Sequence, residues 1–333
     1  MAKNPDYTTE EDNTLRKFYF DATHQELTKL FPDRSVVAIH KRARRLGLKK
    51  NPEITEAYNR TCELSNLLLE TPLAYYQMGF IAADGCFTKS GGICISVNEK
   101  DTEWLKNAFE NVKFNFYSHK HSHEYKNEIK YSVQSSLQGN DNKNYFKIQD
   151  KFDLQQNKTL YPPQNFQFYK SLPNDLFLSF LIGLIDGDGC IHKKKNNTVV
   201  IQVCCHKNWG DFFAALKEKI ESIFNLTVRV SPPNRKDNCI ILIMHKFPIL
   251  RELKKCAIKL NLPIMKRKWD NINVNHITYY EKAEMKFEKV KELLDSGKSF
   301  KESARIVNLN SYLTKKIKIR LGLPLETRKS KNT

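Results

Sequence analysis

The sequence has no apolar run approaching the ~18–20 residues that a bilayer-spanning helix requires, which argues against a helical membrane protein. It has no C-x-x-C pair among its eight cysteines, which removes the usual spacing of a structural zinc site. The opening residues, Met1-Ala2-Lys3-Asn4-Pro5-Asp6, lack the apolar centre of a signal peptide. A soluble, intracellular protein with reduced thiols is therefore expected, the adjacent Cys204 and Cys205 included. Acidic residues are the minority charge: 37 Asp and Glu stand against 55 Lys and Arg, a net charge of +18. Such an excess repels itself in a compact fold, and a polyanionic partner is the simplest counterweight. With no membrane partner expected, that partner is nucleic acid. Core-forming material is not short: 40% of the 333 residues are hydrophobic, enough for two or three domains.

One feature occurs twice. Met78-Gly79-Phe80-Ile81-Ala82-Ala83-Asp84-Gly85 recurs as Ile182-Gly183-Leu184-Ile185-Asp186-Gly187-Asp188-Gly189. Each copy is followed by two strand-like runs, Cys86–Lys89 with Ile93–Asn98 and Cys190–Lys193 with Val199–Cys204. A helix comes next (Thr102–Glu110; Trp209–Phe224). Two more strands follow (near Lys113–His119 and Ile129–Ser135; Thr227–Val230 and Cys239–Met244). A last helix closes each half (Asn142–Phe152; Pro248–Leu260). The fold class is α+β, with two αββαββα halves over residues 71–170 and 171–275. Residues 51–70 read as a linker with some helix. In the second strand of each half, Ile93, Ile95 and Val97, and less cleanly Val199, Ile201 and Val203, alternate with outward residues, so each sheet has one buried face. His119, His121 and His123 share one strand face, and a polar hairpin fits them better than a zinc site.

The stretches Leu73–Ala83 and Leu178–Gly187 are apolar almost all round and are expected to be buried helices. Gly79 with Ala83, and Gly183 with Gly187, stand at i and i+4, a small-residue face that lets two backbones approach. The two helices are expected to pack on each other and to end in left-handed caps at Gly85 and Gly189. Asp84 and Asp188 then lie at helix C-termini, where the backbone dipole is negative, and facing acids make matters worse. A divalent cation would offset both effects. Mg²⁺, with Mn²⁺ as a substitute, suits two carboxylates, water and a substrate phosphate. Phosphodiester hydrolysis is the chemistry that follows.

Gln77–Gly85 and Leu181–Gly189 resemble the two motifs of a single-chain LAGLIDADG homing endonuclease, and the order of elements over residues 71–275 agrees. The resemblance implies two pseudo-symmetric halves whose sheets form a β-saddle on the DNA major groove. It also implies metal-dependent cleavage of both strands of a long asymmetric site, leaving short 3′ overhangs. It implies Asp84 and Asp188 as metal-binding acids, with the backbone carbonyls of Ala83 and Gly187 joining them. Asp is common at the position of Ala82, and Asp186 keeps it as a cap. The family also places a basic residue late in each half. Lys158 and Lys266 are the candidates, with Lys268 competing for the second place, to polarise water or stabilise phosphate charge. Glu99 is a candidate for ordering water. Lys89, Ser96, Asn98, Lys193, Lys195 and Gln202 are candidate DNA contacts.

The ends carry small basic helical units. In residues 1–50, capping boxes at Thr8/Glu11 and Thr23/Glu26 start two helices and Ser35 caps a third. Around that third helix stand Arg34, Lys41, Arg42, Arg44 and Arg45. The unit resembles a Myb/SANT helix-turn-helix module. In residues 276–333, a helix over Glu281–Asp295, a capping box at Ser299/Glu302 and a basic helix Tyr312–Leu321 bearing Lys315, Lys316 and Lys318 resemble a second helix-turn-helix tail. The expected partner is double-stranded DNA, bound by a monomer. An intron maturase acting on intron RNA and a non-cutting DNA-binding regulator are the alternatives. The intact acids favour cutting. The Lys- and Asn-rich composition points towards a phage or organelle.

Overall fold

The computed structural model describes residues 6–52, 54, 61–125, 128–194, 198–233 and 238–324, with the backbone alone for 119–132. Two compact units divide the chain, residues 1–272 and 273–333. The basic N-terminal helices group with the central region while keeping an apolar core of their own.

The first three helices are α1 (Thr9–Phe18), α2 (His24–Leu30) and α3 (Val36–Arg45). Thr8 with Glu11 and Thr23 with Glu26 form complete capping boxes, and Ser35 accepts from the Ala38 amide. Leu15, Leu27, Phe31, Ile39 and Ala43 close their shared core.

The central region repeats one plan. Its first half runs α4 (Pro72–Asp84), β1 (Gly85–Phe87), β2 (Gly92–Asn98), α5 (Thr102–Ala108), β3 (Asn115–Tyr125), β4 (Glu128–Asn140) and α6 (Asn142–Phe152). A short helix α7 (Phe166–Ser171), which the sequence does not announce, leads to the second half. That half runs α8 (Asn174–Asp188), β5 (Gly189–Lys193), β6 (Val199–His206), α9 (Gly210–Phe224), β7 (Arg229–Val230), β8 (Cys239–Met244) and α10 (Phe247–Lys259). One further helical turn, α11 (Lys266–Trp269), closes it. Each half holds an antiparallel four-stranded sheet with the same order, β1-β2-β4-β3 and β5-β6-β8-β7. The expected alternation holds in β2, where Ile93, Ile95 and Val97 are buried; in β6 Val199, Ile201 and Val203 are buried, but Val200, expected to face outward, is buried too. One continuous apolar core spans both halves, with α4 and α8 inside it.

Those two helices are buried along almost their whole length, as helices without a polar face must be. A methyl group at Gly79 would strike the Phe180 carbonyl oxygen, and one at Gly183 the Tyr76 carbonyl oxygen. At Gly187 it would strike the Ala83 side chain. Gly79 and Gly183 meet each other's helices at one level, and Ala83 meets Gly187 four residues further along both, so α4 and α8 lie parallel in direct backbone contact. The expected left-handed caps are not formed. Gly85 (φ −77°) and Gly189 (φ −85°) are extended and pass straight into β1 and β5. Glycine is needed there for space: an added Cβ would sit 2.6 Å from the Ile81 carbonyl oxygen, and at Gly189 it would meet the corresponding atom of Ile185.

The C-terminal unit comprises α12 (Tyr279–Asp295), α13 (Phe300–Ile306) and α14 (Ser311–Arg320) around Phe287, Val290 and Ile317. A capping box at Thr278/Glu281 starts α12. Ser299 caps α13, but the expected box is incomplete because Glu302 pairs with Lys298 at 2.9 Å.

Candidate metal centre and nucleic-acid interface

Asp84 and Asp188 are the last residues of α4 and α8. Parallel packing of those helices places both acids at the same end of the pair. Burial and then the Asp188 charge raise the Asp84 pKa to about 6, with Lys268 and Lys158 pulling against both. Burial also raises Asp188, opposed by Lys158, by a Cys205 thiol contact at 3.6 Å and by Lys268. The acids thus interact with each other and with both lysines.

The lysines repeat the symmetry of the helices. Lys158 is buried, and its ammonium donates to the carbonyl oxygen of Ala83. Lys268 donates to the carbonyls of Gly187 (2.8 Å) and Asp186 (2.5 Å). Each therefore sits on carbonyls at the C-terminal end of its own half's motif helix, where a cation is favoured. Burial lowers both lysine pKa values, and the nearby acids limit the fall. Lys266, the expected second lysine, is exposed instead. Met265 and Trp269 are buried, but Lys266 and Lys268 lie equally far to either side of the face they define, so helical phase does not separate the two lysines; the carbonyl contacts of Lys268 do. The competing candidate, Lys268, is the one brought to the acids.

Asp186 is fully buried and accepts three hydrogen bonds, from Tyr76 Oη (2.6 Å), Trp269 Nε1 (2.7 Å) and the Met265 amide (3.0 Å). It ties α4, α8 and the Lys268 turn together, a structural role in keeping with the expected cap. Burial raises its pKa against the effect of these donors. Ala82 can make no such bonds, so the halves are unequal here.

The donor set fits a hard divalent cation. It offers carboxylate oxygens from Asp84 and Asp188, while the carbonyl oxygens of Ala83 and Gly187 already accept from Lys158 and Lys268 and would have to share or exchange those donors. Burial raises the Cys205 pKa strongly, so its thiol stays protonated beside Asp188. Among the described residues no group of three or more His, Cys, Asp or Glu stands together. A cation here would therefore draw its remaining ligands from water and phosphate. The side chains of His119, His121 and His123 lie outside the described set.

Glu99 is exposed in the turn after β2, and its carboxylate has no link to the acid pair among the described residues. Asn98 caps that turn through the Lys100 amide (3.3 Å). Ser96 bonds Ser136 across the sheet at 2.7 Å. Lys89 and Lys193 are exposed beside the two hairpins, Gln202 is half-buried opposite Cys190, and Lys195 lies outside the described residues.

The basic helices divide unexpectedly. Arg34 pairs with Glu11 at 2.9 Å, bonds the Asp6 carbonyl and lies over the Tyr7 ring. Arg42 holds Asp12 through two bonds of 2.7 and 2.5 Å. These guanidiniums brace the N-terminal unit. Lys41, Arg44 and Arg45 are exposed. In the C-terminal unit Lys315 is exposed, Lys316 lies over Tyr312 and Lys318 over Phe300. No helix among the described residues is long and apolar enough to cross a membrane.

Neither a family model nor a curated protein matches the chain. Solved LAGLIDADG homing endonucleases are among its structural neighbours. The homing endonuclease I-WcaI bound to its DNA recognition sequence is 12% identical, covering 69% of this chain and 97% of that one, with a TM-score of 0.45. The LAGLIDADG meganuclease I-AabMI bound to uncleaved DNA is 18% identical, covering 77% and 100%, with a TM-score of 0.35. I-DmoI in complex with DNA and Mn is 12% identical, covering 57% and 96%, with a TM-score of 0.31.

Proposed function

We propose that the chain is a site-specific DNA endonuclease that hydrolyses one phosphodiester bond in each strand of a long, asymmetric target, leaving short 3′ overhangs. The observation that carries this reading is the pair of parallel buried helices, each ending in an acid and each capped by a buried or half-buried lysine. Asp84 and Asp188, with the carbonyl oxygens of Ala83 and Gly187, would hold Mg²⁺ or Mn²⁺. A divalent ion there supplies Lewis acidity, neutralising phosphate charge and making water a usable nucleophile. Lys158 and Lys268 present desolvated positive charge to the phosphate as negative charge builds on it. Unequal halves, with Ala82 against Asp186 and two differing sheet faces, suit an asymmetric site.

The net charge of +18 supplies non-specific affinity for DNA. The outward residues of β2 and β6 supply base contacts. Lys41, Arg44 and Arg45 in one terminal unit, and Lys315, Lys316 and Lys318 in the other, hold flanking DNA. Tethering raises the effective concentration of the catalytic region at its site.

The test is to incubate the protein with fragmented genomic DNA and Mg²⁺ and to sequence the new ends. Recurrent paired ends a few nucleotides apart are expected. Asp84→Asn and Asp188→Asn should each abolish double-strand cutting while target affinity stays within about threefold, the order of one modest interaction. Undiminished cutting by either variant would overturn the assignment.

A further inference from the structure

Each catalytic lysine belongs to one half, but its backbone is suspended from the other. Trp209 stands just before α9 in the second half, and its indole N–H donates to the Lys158 carbonyl at 3.2 Å. The neighbouring Asn208 side chain donates to the Leu160 carbonyl at 2.8 Å. In the other direction, Trp104 in the first turn of α5 donates to the Pro263 carbonyl, which also accepts from Tyr76 Oη at 2.9 Å. Buried Asp101, just before α5, holds Arg267 through two bonds of 2.7 Å. Pro263 precedes the turn that carries Lys268, and Arg267 lies within it. The two suspensions use different residues, yet in both the anchor sits at the start of the helix that follows the second strand of the opposite half.

Resting on the nuclease reading above, we propose that Trp209 positions Lys158, and that Trp104 and Asp101 position Lys268. The closure of the two halves on each other thereby sets both cutting centres. A lysine of four methylenes needs a fixed root if its ammonium is to stay on one carbonyl, because its rotamer freedom otherwise disperses the charge. The anchors reach the lysine segments through main-chain carbonyls or, at Arg267, through a residue adjacent to Lys268. They touch neither acid nor substrate, so their effect is indirect. The halves then cannot load independently: separating them releases both lysines.

The experiment uses the full chain with Trp209→Phe, Trp104→Phe and Asp101→Asn. Phenylalanine keeps an aromatic ring against Phe212 and Phe80 while removing the N–H donor. Two readouts are taken. The first is lysine acetylation by a water-soluble reagent, followed by mass spectrometry, with no DNA or metal present. Trp209→Phe should raise labelling of Lys158 several-fold and leave Lys268 unchanged; Trp104→Phe and Asp101→Asn should do the reverse. The second readout is the rate of cutting each strand of a plasmid carrying the mapped site. Trp209→Phe should slow the strand slowed by Lys158→Met, and Trp104→Phe the strand slowed by Lys268→Met, each leaving nicked circles. Labelling that rises at neither lysine, or equally at both in every variant, overturns the inference, as does a strand bias that follows the tryptophan's own half. If the wild-type protein cuts nothing, the nuclease reading fails by itself, while the labelling pattern still decides whether the anchors position the lysines.

Discussion

Gly183 on α8 faces the Tyr76 carbonyl of α4 so closely that no Cβ fits between them. The obstacle is backbone, which cannot turn aside as a side chain can. Gly183→Ala must push the motif helices apart or unwind one of them. Overpacking of this kind costs about 1–3 kcal/mol, and the upper end is expected here. Separation at Gly183 also moves Asp188 relative to Asp84. Chemical denaturation should show a lower midpoint for Gly183→Ala, whereas Gly297→Ala, at an open position with φ +86°, tests only local strain. An unchanged midpoint for Gly183→Ala would mean that the helices do not touch as described.

The acid pair makes a signed prediction about pH. The pKa of Asp84 rises from 3.8 to about 6 on folding. The folded protein therefore binds a proton more tightly than the unfolded chain, and stability falls as pH rises between those values. Above pH 6 the ionised carboxylate imposes its full cost on the metal-free protein. Asp84→Asn removes that cost, so in EDTA it should raise Tm at pH 7.5 and lose its advantage below about pH 4, under the ordinary carboxylate range. Mg²⁺ competes with the proton, so its affinity should weaken as pH falls through 6. A calorimetric titration between pH 5 and 8 measures this. Affinity independent of pH would remove Asp84 from the ligand set.

The same helices show what can be read in advance. Their burial and pairing are legible because apolar residues surround them and because the small residues recur in step. The sequence of elements in each half follows from the repeat. Distance along the chain points to Lys266, whereas tertiary contacts with the Asp186 and Gly187 carbonyls bring Lys268 to the acids. Met265 and Trp269 do not carry the missing signal, since Lys266 and Lys268 lie equally far to either side of the face they fix. Gly85 and Gly189 defeat a local reading because an Asp-Gly pair at a helix end also suits a direct turn into a strand. The ion pairs of Arg34 and Arg42 join residues far apart in the chain, and no local pattern announces them. Substitution checks the lysine assignment. Lys268→Met should slow cutting by roughly 10²–10³, the usual loss for one charge-stabilising donor. Lys266→Met should leave the rate near wild type. The reverse ranking would make Lys266 the second lysine.

The N-terminal unit separates two kinds of basic residue that composition treats alike. Arg34 and Arg42 already commit their guanidiniums to Glu11 and Asp12, and the partial burial of these pairs makes their loss a matter of folding. Alanine at either should lower the melting temperature of the small helical core, since a carboxylate is left without its partner. Lys41, Arg44 and Arg45 are exposed and have no such duty. Alanine at Lys41 or Arg45 should leave thermal unfolding unchanged but weaken DNA binding. Removing one lysine or arginine that neutralises a phosphate should reduce the slope of log K against log salt by about 0.9. Binding titrations at several salt concentrations, run beside thermal melts, distinguish the two classes. Equal salt slopes for wild type and Lys41→Ala, or a lowered melting temperature in Lys41→Ala, would show that this helix face does not meet DNA.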